Sequence, residues 1–179
     1  MVVGITGKYG SGKSTLSNYI VNKYGFIYYD TDTIFKILKE KEIFDFKINN
    51  QVDFYNSFHT QNIVRHNFHP KVFRFIKNEI DKKIITNKNL NFIIETALPS
   101  NYFFSICDYT IYIINKLKNK KQIILDKRNI QNNSLTKIIN IQNFYNKYYK
   151  KCDFKIINNN SLIDLYKKFD VVINKILEY

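Results

Sequence analysis

Gly4-Ile5-Thr6-Gly7-Lys8-Tyr9-Gly10-Ser11-Gly12-Lys13-Ser14-Thr15 decides the fold of this chain. Residues Gly7 to Ser14 fit G-x-x-x-x-G-K-[ST], a loop whose backbone N–H groups cradle phosphate. The 179-residue chain has five glycines, and none follows Gly25. Glycine is therefore kept where the backbone must approach a ligand with no Cβ in the way. The N–H groups of Tyr9, Gly10, Ser11 and Gly12, with the N-terminus of a helix starting near Lys13, form an anion site. Lys13 can reach β- and γ-phosphates, and the Ser14 hydroxyl can join the shell of Mg²⁺, with Thr15 beside it.

The flanks agree with the motif. Val2 to Thr6 reads as a short buried strand. Ser14 to Tyr24 reads as a helix, with Leu16, Tyr19 and Ile20 at helical spacing and Gly25 as its stop. A strand over 26–29 ends at Asp30-Thr31-Asp32, and a helix is expected over 33–42. Residues 43–68 are polar and aromatic. Pro70 opens a helix running to about Lys83. Strands follow at 91–95, 109–114 and 154–157. Residues 99–104 form a loop or short helix. Helices are expected over 118–127, over 134–150 with Ser134 as cap, and from Ser161 onward. The last of these shows Leu162, Leu165, Phe169, Val172 and Ile176 on one face. Strands alternating with helices mark an α/β chain. The expected fold is a three-layer phosphate-loop architecture around a five-stranded parallel sheet. It forms one domain over 1–179, with a helical substrate-binding excursion about 36–90 and a lid about 118–145.

Composition narrows the class. Hydrophobic residues make up 45% of the chain, which suits a globular core. No apolar run approaches the roughly 18 residues that span a membrane. The N-terminus lacks a basic segment followed by a long apolar one, so a cytoplasmic protein without a membrane partner is expected. Cys107 and Cys152 are not spaced as a metal pair and read as reduced structural thiols. The formal net charge is +13, yet Arg65, Arg74 and Arg128 are the only arginines. Lys, Asn, Ile, Phe and Tyr are what AT-rich codons encode, so codon bias accounts for much of the charge. Nucleic-acid proteins more often carry arginine at bidentate sites. A basic surface also steers anionic small molecules, the reading preferred here over an RNA partner. A monomer is favoured.

The loop predicts nucleoside triphosphate binding without naming the reaction. A Ras-type GTPase needs D-x-x-G, which a chain lacking glycine after Gly25 cannot supply. It also needs N-K-x-D, and Asn115-Lys116-Leu117-Lys118 fails at its last position. The Gly-rich signature of transporter ATPases is absent for the same reason. Small-molecule kinases remain.

Within that class the chain resembles the dephospho-coenzyme A kinase family over nearly its whole length. The resemblance rests on Gly4-Ile5-Thr6-Gly7 with Tyr9 to Thr15, on Gly25-Phe26, and on Asp30-Thr31-Asp32 after the second strand. It continues through His69-Pro70, Arg128, Gln142 and Cys152-Asp153-Phe154-Lys155-Ile156-Ile157-Asn158. Departures are Glu95-Thr96-Ala97-Leu98-Pro99-Ser100 after the third strand, Tyr145 where an arginine is expected, and a shortened segment between Asp32 and His69. The resemblance implies ATP and Mg²⁺ as cofactors and dephospho-coenzyme A as acceptor, phosphorylated on its 3′-hydroxyl. Another nucleoside or nucleotide kinase, or a non-catalytic nucleotide-binding protein with an RNA partner, is the alternative.

Each candidate residue carries two readings. Asp32 is the expected catalytic base, or else a cap for the next helix. Asp30 contacts substrate or a magnesium-bound water, or caps that helix. Glu95 holds Mg²⁺ through a water, or caps a loop. Arg128 closes over the transferring phosphate, or makes a surface salt bridge. Arg65 and Arg74 meet the acceptor, or are solvated. His69 contacts the acceptor nucleotide, or sits satisfied at a helix start. The aromatics at 54, 55, 58, 68, 73 and 75 read as core or cleft lining.

Overall fold

The computed structural model describes residues 1–41, 69–116, 124–125, 132–159 and 161–178. In chain order the elements are β1 (Val2–Gly7), α1 (Lys13–Tyr24), β2 (Ile27–Asp30), α2 (Thr31–Glu40), α3 (His69–Thr86), β3 (Phe92–Thr96) and α4 (Asn101–Ile106). They continue with β4 (Tyr109–Asn115), α5 (Asn132–Asn143), α6 (Asn146–Tyr149), β5 (Phe154–Asn158) and α7 (Leu162–Leu177). The five strands form one sheet in the order β2-β3-β1-β4-β5, and every pairing is parallel.

The order explains where a ligand belongs. The chain builds β2 and β3 on one side of β1, then crosses to build β4 and β5 on the other. The connections diverge at β1, and such a switch point opens a crevice beyond the carboxyl ends of the strands. The phosphate loop leaves β1 at that end.

Alternation along the strands distributes two cores. On β1, Val3 and Ile5 face α1 and α7, joined by Leu16, Ile20, Phe26, Ile93, Ile111, Ile156, Leu165, Phe169 and Ile173. Val2, Phe92 and Ile94 face the other way, against Ile34, Leu38, Val72, Phe73, Ile76, Phe103 and Tyr149. A strand buried on both faces reads as an apolar run, as Phe92-Ile93-Ile94 does. Each fully buried side chain of this kind contributes about 1.5–3 kcal/mol.

Two glycines outside the phosphate-binding turn are explained by their surroundings. Gly25 ends α1 at φ 70° while its N–H bonds the Val21 carbonyl. Gly4 lets α4 lie flat on β1, because a Cβ there would enter the Phe103 ring and come within 2.7 Å of Cys107 Sγ. Both cysteines are free thiols, and burial raises the pKa of each.

The expected strands all form, each within a residue or two of the expected bounds. The helix expected over 134–150 differs. It starts at Asn132 and breaks at Phe144-Tyr145 into α5 and α6. The break turns Tyr145 and Tyr149 inward, where they are 3% and 1% exposed. The apolar face of α7 is also corrected: Ile173 is buried, whereas Leu162 is 50% exposed. Leu162 is the first residue of the helix, and Ser161 caps it by accepting from the Asp164 N–H. The loop or short helix expected over 99–104 is the short helix α4, shifted to Asn101–Ile106. The segment 43–68 and most of the helix expected over 118–127 lie outside the described residues, as do Arg65 and Arg128.

Candidate active site

All five strands deliver a side chain or a backbone turn to the same end of the sheet. β1 delivers the phosphate loop, β2 ends in Asp30, β3 carries Glu95, β4 ends in Asn115 and β5 in Asn158. Register makes the grouping tight: Asp30 lies opposite Glu95, and Asn115 opposite Asn158.

The loop is held open by its carbonyls. Asn115 Nδ2 donates to the Gly10 carbonyl at 2.7 Å, and Asn158 Nδ2 donates to the Ser11 carbonyl at 3.0 Å. On the other flank, Gln142 Oε1 accepts from the Tyr9 N–H at 2.7 Å, and Lys8 Nζ donates to Asn143 Oδ1 at 2.6 Å. The Tyr9 and Ser11 N–H groups, expected to face an anion, are instead spent on Gln142 and on the Lys8 carbonyl at 3.0 Å, which leaves the Gly10 and Gly12 N–H groups to turn toward one. Gly10 and Gly12 adopt φ of 69° and 100°, a region that side chains disfavour. A Cβ on Gly7 would fall 2.6 Å from both the Ile113 carbonyl and Ser11 Oγ, so the turn closes only with glycine. Lys13 is 8% exposed, with Nζ 3.4 Å from the Lys8 carbonyl, folded over the cradle it belongs to.

The acidic side faces this cradle. Glu95, 5% exposed, accepts from Ser14 Oγ on Oε1 at 2.7 Å and from the Tyr28 hydroxyl on Oε2 at 2.6 Å. Burial and the neighbouring carboxylate push the Tyr28 phenol far above its ordinary value, so it stays a donor. Glu95 therefore does not cap a loop; it lies inside β3 and ties β2 to the start of α1. Asp30 is the helix cap: its carboxylate accepts from the N–H groups of Asp32 and Thr33 at 3.2 and 3.1 Å, and from Thr33 Oγ1. Asp32 is thereby released from capping. It sits in the first turn of α2, open to solvent at the cleft mouth. The protein atoms crowding it, then Asp30 and Glu95, raise its pKa to about 6 against the pull of Lys13.

Lys13, Ser14, Asp30, Asp32 and Glu95 are thus gathered in one place. Arg74 is exposed on α3. His69 is 1% exposed and stacks on Phe73 at 5.8 Å, with Tyr145 tilted against it at 6.3 Å. Sequence reasoning gave no role to Tyr28, Asn115 or Asn143. Asn115 was detectable, since it is a polar residue closing an apolar strand at the ligand end. Tyr28 was not, because its partner Glu95 is distant in sequence.

A phosphate loop at the switch point of an all-parallel sheet, faced by carboxylates, defines the class: this is a P-loop kinase. No family model matches the chain. The fold is shared with a shikimate kinase from Acinetobacter baumannii solved with shikimate, at TM-score 0.60 and 14% identity over 97% of this chain and 93% of that one. A dephospho-CoA kinase from Campylobacter jejuni superposes at TM-score 0.60, with 21% identity over 98% and 96% of the two chains. A dephospho-CoA kinase from Fusobacterium nucleatum is 31% identical over 188 residues, covering 95% of each chain. The chain belongs to the dephospho-CoA kinase family.

Proposed function

We propose that this protein transfers the γ-phosphate of ATP to the 3′-hydroxyl of dephospho-coenzyme A, giving coenzyme A and ADP. One observation carries the reading beyond family membership. Asp32 stands beside the phosphate-loop lysine with its carboxyl freed by the Asp30 cap and its pKa raised to about 6. A base poised near the working pH suits removal of a hydroxyl proton. In this reading Lys13 and the loop N–H groups bind the β- and γ-phosphates, and Asp32 orients the acceptor hydroxyl and takes its proton. Arg128 closes from the lid at about 118–145. Arg65, His69 and Arg74 belong to the acceptor side, in the excursion about 36–90. His69 acts there by shaping the wall, since it is stacked and buried.

The residues present fit Mg²⁺. A serine hydroxyl has one proton and two lone pairs, and a carboxylate only accepts. With its proton on Glu95, Ser14 has lone pairs left for a cation. Among the described residues no three acidic, histidine or cysteine side chains form a protein-only metal cage. Mg²⁺ needs none, because it keeps several waters and leans on substrate phosphates. When bound, it neutralises charge on the phosphates; Ser14 would hold it directly and Glu95 through a water. No helix among the described residues is long and apolar enough to cross a membrane. We place the protein in the cytoplasm, acting as a monomer on small molecules.

The test is a coupled assay with ATP and Mg²⁺, offering dephospho-coenzyme A against a panel of nucleosides and nucleotides. Product analysis then looks for a new 3′-phosphate. Turnover of dephospho-coenzyme A far above the panel is expected, together with its loss in Lys13→Ala. Absence of coenzyme A at saturating ATP overturns the assignment.

A further inference from the structure

Glu95 is approached from two sides by donors of different origin. Ser14 comes from the first turn of α1, and Tyr28 from the middle of β2. The carboxylate is 5% exposed, so its orientation is decided by these partners rather than by solvent. Were Oε2 left without a donor, the carboxylate could turn about its last torsion, which is soft for Glu. The Ser14 proton would then lose its fixed acceptor, and the serine lone pairs would lose their fixed direction.

We infer that Tyr28 is a positioning residue for the cation site of this kinase, fixing Glu95 so that the Ser14 hydroxyl presents its lone pairs outward. The inference rests on the proposed function only in needing a metal–nucleotide complex at the loop. It goes beyond it by assigning a role to a residue outside the phosphate loop and outside the acidic pair Asp30 and Asp32. The effect of Tyr28 passes through Glu95 to Ser14, as the outer partners of metal ligands act elsewhere.

The experiment uses the full chain and Tyr28→Phe, which keeps the ring and removes only the hydroxyl. Mn²⁺ serves as the probe, with free Mn²⁺ read by electron paramagnetic resonance in the presence of ADP and no acceptor. Expected is a weakening of Mn²⁺ binding by about tenfold, the scale seen when an outer partner of a metal ligand is lost. Metal-free ADP binding, read by calorimetry, should be unchanged. The Mg²⁺ concentration giving half-maximal rate should rise by a similar factor, with little change in rate at saturating Mg²⁺. Unchanged Mn²⁺ binding overturns the inference. So does an equal loss of metal-free ADP binding, which would mean general loosening of the loop. Should Tyr28→Phe fail to fold, Tyr28→Leu supplies the same readouts. Because no acceptor is present, failure of the parent protein to turn over dephospho-coenzyme A would leave this titration standing.

Discussion

Asp32 draws its chemistry from its neighbours. Its ordinary value of 3.8 becomes about 6, raised first by the surrounding protein and then by Asp30 and Glu95. The folded state holds this proton more tightly than the unfolded chain does, so this group's contribution to stability declines as pH rises from about 3.8 to about 6. With Asp32 as the proposed base, activity runs the opposite way, since a base must be unprotonated: kcat/KM should fall as pH drops through about 6. Asp32→Asn should remove both slopes. Thermal unfolding above pH 6 should show a variant at least as stable as the parent. Its kcat should drop by about 10²–10⁴-fold, the usual contribution of a placed base. An unchanged kcat would return Asp32 to a surface role. Asp30 caps the helix because it immediately precedes α2, which leaves the Asp32 carboxylate out of the capping bonds.

At the scale of elements, the strand ends build the site and the strand beginnings brace the sheet. Asn158 joins β5 to the loop through the Ser11 carbonyl. Asn158→Ala should weaken ADP binding by about 2- to 10-fold, the value of one net hydrogen bond, when measured by calorimetry. At the other end, Asp108 accepts from the Val2 N–H and Asp153 from Thr110. Gly4 marks the contact of α4 with β1. Gly4→Ala should cost about 1–3 kcal/mol through overpacking, seen as a lower melting temperature with ADP affinity intact. Loop, strands and most helices were legible in the sequence because glycine placement and apolar runs are local signals. The lone departures came from packing at a distance. Nothing local says that Tyr145 turns into the core and splits α5 from α6, or that Ile173 on α7 is buried more deeply than Val172 beside it. The site was half legible: Lys13, Ser14, Asp32 and Glu95 carry motif or position, whereas the Tyr28–Glu95 contact exists only once β2 lies beside β3.

For the whole molecule, charge and topology set the behaviour. The net charge of +13 should draw polyphosphates toward the cleft. Raising salt should therefore lower kcat/KM while kcat holds steady, in steady-state assays across ionic strength. An RNA-binding role would instead give tight oligonucleotide binding with a steep salt slope at physiological salt. The arrangement of the sheet has one more outcome. β1 occupies the centre, yet its partners begin at Phe92 and Tyr109. Non-local pairing of this kind is slow to form. The phosphate loop precedes its braces in the chain: Asn115, Gln142 and Asn158 must all arrive before its backbone is held, and Asn143 before the Lys8 side chain is. Nucleotide capture should therefore follow closure of the sheet. The loop lacks its full set of braces until β5 has joined the sheet, and bound nucleotide then adds stability to that folded form alone.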